Sequence, residues 1–219
     1  LLGRDILSRV IYGTRISLMV GFLSMAIAAS FGITAGLLAG FFGGWTDTIF
    51  MRAMDALMAF PAILLALLIM SVLGPSLANA IIAVGIIYTP TFARLIRASA
   101  LSIREKEYLE AARAIGMPNW LIMIKVILLN SLSPIIVQLS LGIGYAILVE
   151  AGLSFLGLGV QPPQPAWGSM LGEARNMMVF APWMATFPGL AIFFAVIGFN
   201  LMGDGLREAI DPHRIVVKH

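Results

Sequence analysis

The chain has 219 residues, of which 60% are hydrophobic and 11% charged, with a formal net charge of +3 and no cysteine. Soluble domains carry about 25% charged residues, so a mean hydropathy of +0.97 reads as an integral membrane protein. Disulfides, thiolate metal sites and cysteine nucleophiles are excluded, and basic residues scattered at the ends of apolar runs set membrane orientation rather than bind nucleic acid.

A helix that crosses a bilayer needs about 20 apolar residues. Five runs qualify: residues 16–42, 56–73, 77–93, 126–149 and 183–203. The second is closed by Gly74-Pro75, the third by Arg94, the fourth by Glu150 and the fifth by Asp204. The runs are continuous and lack the two-residue alternation of barrel strands. The fold class expected is therefore all-α: a polytopic helical bundle, one membrane domain over residues 1–219. Residue 1 is Leu, and a further N-terminal segment is expected upstream.

Between the first and second runs, Asp47, Arg52 and Asp55 flank a turn expected on the inside. Arg52 and Asp55 are three apart and are expected to pair on one helix face. Met51, Met54 and Met58 form a stripe at helical spacing, expected to pack rather than to bind metal.

Residues 94–125 interrupt the apolar chain with Arg94, Arg97, Arg104, Glu105, Lys106, Glu107, Glu110, Arg113 and Lys125. Such an island must sit in water. Ser102-Ile103-Arg104-Glu105 has capping-box spacing and predicts a helix starting at Ser102. Gly116 predicts its end, and Pro118 suits the first turn of a second helix. Ala111, Ala112 and Gly116 are small, so another protein's backbone can approach closely. By pattern alone, an ordinary solvated loop accounts for the island equally well.

With the island in the cytoplasm, Arg52, Arg94, Arg97, Arg104, Lys106, Arg113, Lys125, Arg207, Arg214 and Lys218 lie inside. Arg4, Arg9, Arg15 and Arg175 then lie outside, and the excess supports this orientation. The cluster Arg4, Arg9, Arg15 dissents, unless an upstream helix fixes the topology first.

Glu150 is the most isolated acid in an apolar setting. An intramembrane carboxylate is a functional candidate by default, but here it is expected to cap a helix at the outer interface. In residues 152–182, Gly157, Gly159, Pro162, Pro163, Pro165 and Gly168 break regular helix. Leu153, Phe155, Leu156, Leu158 and Trp167 keep the stretch apolar. A structured outer-face segment follows, packed over protein or a cavity.

Catalysis finds no support. Ser154 within Gly152-Leu153-Ser154-Phe155 would need a base within hydrogen-bond reach, and the only histidines are His213 and His219 in the polar tail. Asp204 has no second membrane Asp to share a proton with. A phosphate loop requires Gly-x4-Gly-Lys-Ser/Thr, yet none of Lys106, Lys125 and Lys218 follows a glycine. No cofactor or metal is expected on this chain.

Glu110-Ala111-Ala112-Arg113-Ala114-Ile115-Gly116, followed by Ile127-Leu128, resembles the "EAA" signature of binding-protein-dependent ABC permeases. Further stretches resemble the dipeptide/oligopeptide/nickel permease family and its "C"-type subunit. They include Gly3-Arg4-Asp5, Tyr12-Gly13, Gly43-Gly44-Trp45, Met51-Arg52, Phe60-Pro61 and the run from Leu153 to Gly159. Gln161-Pro162-Pro163, Trp167-Gly168, Ala181-Pro182-Trp183, Phe187-Pro188-Gly189, the run from Gly203 to Arg207 and Asp211-Pro212 continue the match. Leu128-Leu129 departs from it, because members usually have Leu-Pro there, and the bend into the next span is put in doubt.

The resemblance implies a type I ABC importer permease with six helices, the first absent here. It implies a homologous permease partner, two cytoplasmic ATPases that carry ATP and Mg, and an external substrate-binding protein. Its cargo would be dipeptides, oligopeptides or nickel, crossing a bacterial or archaeal cell membrane. Glu110, Ala111, Ala112 and Gly116 would couple the permease to the ATPases through residues 102–120. The competing reading is a self-sufficient secondary transporter or channel. It calls for paired intramembrane charges or interrupted helices at the midplane, for which the sequence offers few candidates.

Overall fold

The computed structural model describes residues 3 and 5–210. Its helices are α1 (Ile6–Phe42), α2 (Gly44–Met58), α3 (Ala62–Leu73), α4 (Leu77–Arg104), α5 (Glu107–Ala114) and α6 (Asn119–Leu121). A π-helical stretch (Ile122–Leu128), α7 (Leu132–Phe155), α8 (Trp167–Ala174), a 3-10 turn (Arg175–Met177) and α9 (Trp183–Ile210) follow. Among the described residues there is no strand.

The bundle is organised by α1 and α4. Asp5 starts α1 by accepting the Ser8 backbone N–H at 2.8 Å, so the helix begins ten residues ahead of the apolar run. The Ser8 hydroxyl and amide also hold the Asp5 carboxyl below the usual carboxylate range. Gly32, Gly36 and Gly40 recur every four residues along one face of α1. A Cβ on Gly36 would lie 2.4 Å from the Ala93 carbonyl oxygen, and one on Gly32 2.5 Å from that of Thr89. One on Gly40 would lie 2.6 Å from Ala100 Cβ. Only hydrogen fits, so the two backbones touch, as small residues at four-residue spacing allow between membrane helices. The contact numbers rise together, from Ser24 on Ile81 to Gly40 on Ala100, so α1 and α4 run parallel.

α7 returns antiparallel: Gly21 faces Ile143 and Ile147, while Ser17 faces Glu150. One buried cluster, including Met25, Met70, Phe92, Ile147 and Leu153, joins α1, α3, α4 and α7. A second, built from Phe41, Ile96, Ile103, Leu109, Ile122 and Ile127, lies at the end of the bundle where α5 sits. α9 packs on α7 and leaves most of its apolar surface uncovered; Phe193, Phe194 and Leu201 are exposed. An apolar exterior of this kind suits lipid or a partner helix, not water.

Among the described residues four helices, α1, α4, α7 and α9, are long and apolar enough to cross a membrane. The expected single run over 56–73 is instead a broken pair, α2 and α3, bent by 91°. Pro61 is the cause: it has no N–H to donate and biases Phe60 away from helical backbone. α3 has 12 residues and rises only about 18 Å, short of a hydrocarbon core about 30 Å thick. A fifth crossing therefore needs both halves.

Several expected boundaries also move. α4 passes through Pro90 and does not stop at Ala93 but continues to Arg104. Ser102 consequently starts no helix: Ile96, Ala100 and Ile103 bury on one face and carry α4 past it. The run 126–149 resolves into the π-helical stretch, a turn at Ser131, and α7. Residues 152–182 are less irregular than expected, since α7 continues to Phe155 and α8 occupies Trp167–Ala174.

Charge pairs fasten both ends. At the α5 end, Arg97 binds Asp47 through two contacts of 2.5 and 2.6 Å. Asp55 pairs with Arg94 at 2.7 Å rather than with Arg52, because the bundle brings α4 alongside α2. Met54 fills the space between Ala35 and Ala93 with Met51 beside it, so these two methionines pack as expected, whereas Met58 is exposed. At the α8 end, Arg9 forks onto Glu173 at 2.7 and 3.0 Å, and Trp167 Nε1 donates to the Val10 carbonyl at 3.0 Å. Arg4, Asp211-Pro212, His213, Arg214, Lys218 and His219 fall outside the described residues.

Candidate coupling surface

The polar island forms a compact projection. α4 ends at Arg104, whose guanidinium donates to the Gly40 carbonyl at 3.2 Å, tying the helix end to the end of α1. After Glu105 and Lys106 the chain re-enters helix as α5, with Glu107 and Glu110 in its first turn and Arg113 in its last. That order suits the helix dipole. The Arg113 guanidinium also lies 5.8 Å from the centre of the Phe41 ring, within cation–π range.

Gly116 ends the element as expected. Its φ of +75° is open to glycine at little cost. The Gly116 N–H donates to Arg113 at 3.0 Å and the Met117 N–H to Ala112 at 3.1 Å. These two bonds make a Schellman turn, completed by Met117 packing on the cluster that holds Leu109 and Ala112. The chain then turns at Pro118 into α6, where proline stands one position ahead of the first helical residue.

Two kinds of side chain result. Leu109 and Ala112 face inward and are buried, so Ala112 anchors α5 to Ile122 and Ile127. Glu110, Ala111 and Gly116 are exposed. Tyr108, Ile115 and Trp120 are exposed beside them, Ile115 to 77%. None of these three is among the coupling residues expected from the sequence. Their signal was available: large apolar residues within a charged island, on a surface that water should otherwise claim.

Glu150 lies elsewhere. It does not cap α7, which continues for another turn and more. Its side chain is fully buried, accepting the Ser154 hydroxyl at 2.6 Å and the Ser17 hydroxyl at 3.4 Å. Ser154 therefore faces a carboxylate and not a general base of the histidine type. No cluster of potential metal ligands occurs among the described residues. A charged cleft of about 500 Å³ lies between α2 and α4, lined by Asp47, Arg52, Asp55, Arg94 and Arg97 among others. Its carboxylates are taken up by Arg94 and Arg97.

Comparison with known proteins gives a concordant picture. The family model described as "Binding-protein-dependent transport system inner membrane component" matches residues 32–216. A dipeptide transport system permease protein, DppC, of Alkalihalophilus pseudofirmus is 52% identical over 210 residues, covering 96% of this chain and 69% of that protein. A glutathione transport system permease protein, GsiD, of Pectobacterium atrosepticum is 52% identical over 211 residues, covering 96% and 70%. Among solved structures, an inward-facing conformation of the MetNI methionine ABC transporter superposes with a TM-score of 0.77 at 17% identity, covering 96% of this chain and all of that one. An amino acid ABC transporter gives 0.66 at 19% identity. At such identities the structural likeness speaks for the fold.

Proposed function

This chain belongs to the family of binding-protein-dependent transport system inner membrane components, and from that premise we propose that it forms half of the membrane pathway of an ATP-driven peptide importer. The observation that carries the reading is the 52% identity to a dipeptide permease over 96% of the chain. Dipeptides and related small peptides are the proposed cargo, delivered by an external binding protein. A homologous permease is the proposed partner in the bilayer. Two cytoplasmic ATPases would supply the ATP- and Mg-dependent step, and the host membrane would be a bacterial or archaeal cell membrane. This division of labour agrees with the absence of a Gly-x4-Gly-Lys-Ser/Thr phosphate loop from the sequence.

In this reading, residues 102–120 are the coupling element. Glu110, Ala111 and Gly116 meet the ATPase surface, together with Tyr108, Ile115 and Trp120. Ala112 holds the element to the bundle. Closure of the ATPases on ATP moves α5, and the motion passes through the buried contacts of Leu109 with Ile122 and Ile127 toward α7. Such a two-state element biases inward-open against outward-open arrangements. The residues 152–182 face the other side, where the binding protein docks.

The test is reconstitution with the homologous permease, both ATPases and the binding protein in vesicles. ATP-dependent, binding-protein-dependent uptake of dialanine is the expected result. Uptake that proceeds without the ATPases would favour a self-sufficient transporter. Orientation is checked separately with a single cysteine at the exposed Asn119. In intact cells it should resist a membrane-impermeant thiol reagent, and labelling from outside would invert the topology.

A further inference from the structure

The fully buried Glu150 has a structural consequence at the far end of α7. Serines and threonines in this bundle commonly donate to the carbonyl four residues back, as Ser30, Thr34, Ser131 and Ser140 do. Ser154 departs from that habit: four residues after Glu150, it donates to the Glu150 carboxylate Oε1 at 2.6 Å. A hydroxyl has one proton and two lone pairs. With the proton committed to Glu150, the Ser154 oxygen accepts the Val160 N–H at 3.2 Å. Val160 is buried, and its amide would otherwise be costly to leave unpaired.

The backbone is pressed onto this hydroxyl. A Cβ on Gly159 would lie 2.0 Å from Ser154 Oγ. Further along, a Cβ on Gly168 would lie 2.3 Å from the Ala151 carbonyl oxygen, and one on Gly172 2.9 Å from that of Phe155. The loop after α7 and the helix α8 are thus seated directly on the last two turns of α7. Ser17 ties the same carboxylate to α1 at 3.4 Å.

We propose that Glu150 is a positioning residue: through Ser154 it locks residues 156–174 onto α7 as one rigid cap and so presents the docking surface for the external binding protein. The proposal rests on the importer reading above. A carboxyl oxygen suits the task because it takes up the Ser154 proton and leaves the Ser154 lone pairs for the Val160 N–H. The cap then follows any tilt of α7, and α7 begins next to the cluster that holds the coupling element.

The experiment uses the assembled transporter in vesicles, with ATP turnover measured against the concentration of dialanine-loaded binding protein. Glu150→Ala should raise the half-saturating concentration roughly tenfold, the scale of one lost buried hydrogen bond, and leave turnover without binding protein unchanged. Ser154→Ala should reproduce the shift with little change in volume, and carries the test should Glu150→Ala fail to insert. Glu150→Gln should remain within about twofold, because its amide oxygen still accepts from Ser154. Amide exchange over residues 156–162 should quicken in Glu150→Ala and Ser154→Ala and not in Glu150→Gln. Equal damage from Gln and Ala at position 150, or an unshifted Ser154→Ala, overturns the proposal. Wild-type protein that shows no stimulation by the binding protein would instead refute the importer reading, and the exchange measurement would still decide whether Glu150 pins the cap.

Discussion

Gly36→Ala is expected to destabilise the subunit, and Gly189→Ala is expected to leave it unchanged or slightly more stable. The same chemical change has opposite signs because the two glycines meet different surroundings. At Gly36 the new Cβ would sit 2.4 Å from the Ala93 carbonyl oxygen and 2.9 Å from Ile96 Cβ. Both neighbours are in mid-helix, so neither can step aside without moving α4. Overpacking of a close contact costs about 1–3 kcal/mol, and a clash with backbone belongs at the upper end. At Gly189 nothing lies within 4 Å of the added atom, and alanine gains up to about 1 kcal/mol of helix propensity. For a chain of this length, 3 kcal/mol corresponds to roughly 6–12 °C in Tm. Thermal unfolding of the purified subunit in detergent, followed by size-exclusion monodispersity, measures the difference. A Gly36→Ala protein as stable as Gly189→Ala would mean that α1 and α4 do not pack backbone to backbone.

The Gly36 contact also shows where a sequence is readable and where it is not. The spacing of Gly32, Gly36 and Gly40 stood in the letters, and it is a recognised signal for close helix pairing. What it could not supply was the partner, since any of the apolar runs might have carried the matching face. The same limit explains Arg52 and Asp55. The three-residue rule sees only one helix, whereas Asp55 pairs with Arg94, 39 positions away. The runs themselves were legible because burial in lipid imposes length and apolarity on each segment independently. Pro61 escaped that reasoning, because one proline barely lowers the apolarity of the run over 56–73 yet denies the helix a backbone N–H.

Glu150 was misplaced for a related reason. It ends an apolar run, so a helix end looked natural, but hydroxyls from α1 and from its own helix satisfy the carboxylate inside the bundle. Ser102 and Glu105 have the letters of a capping box, yet Ile96, Ala100 and Ile103 reward continuation of α4 by burying one face. Tertiary burial outweighs a local cap worth about 1 kcal/mol. Gly116, by contrast, was legible because its role is local: it follows from backbone geometry within a few residues.

That locality makes Gly116→Val the sharper test of coupling. The glycine has a φ of +75°, and an added Cβ meets nothing of this chain within 4 Å. Any effect must therefore come from the backbone or from a partner surface. A branched residue in the left-handed region costs about 1–2 kcal/mol, enough to open the Schellman turn that holds Met117 N–H on the Ala112 carbonyl. Opening it swings Ile115 and Trp120 away from their present positions beside α5. The altered subunit should still insert and pair with its permease partner, because the turn touches only the second buried cluster and not the one that joins α1, α3, α4 and α7. It should lose co-purification of the ATPases or the binding-protein stimulation of ATP turnover in vesicles. Gly116→Asn should keep most of both, since asparagine tolerates positive φ. Glu110→Lys should weaken association less, because a solvated charge contributes about 1 kcal/mol or less. Normal assembly and normal stimulation in Gly116→Val would show that residues 102–120 are not the coupling element. Asparagine failing as badly as valine would place the requirement in a partner's close approach to the glycine, and no longer in its backbone angle.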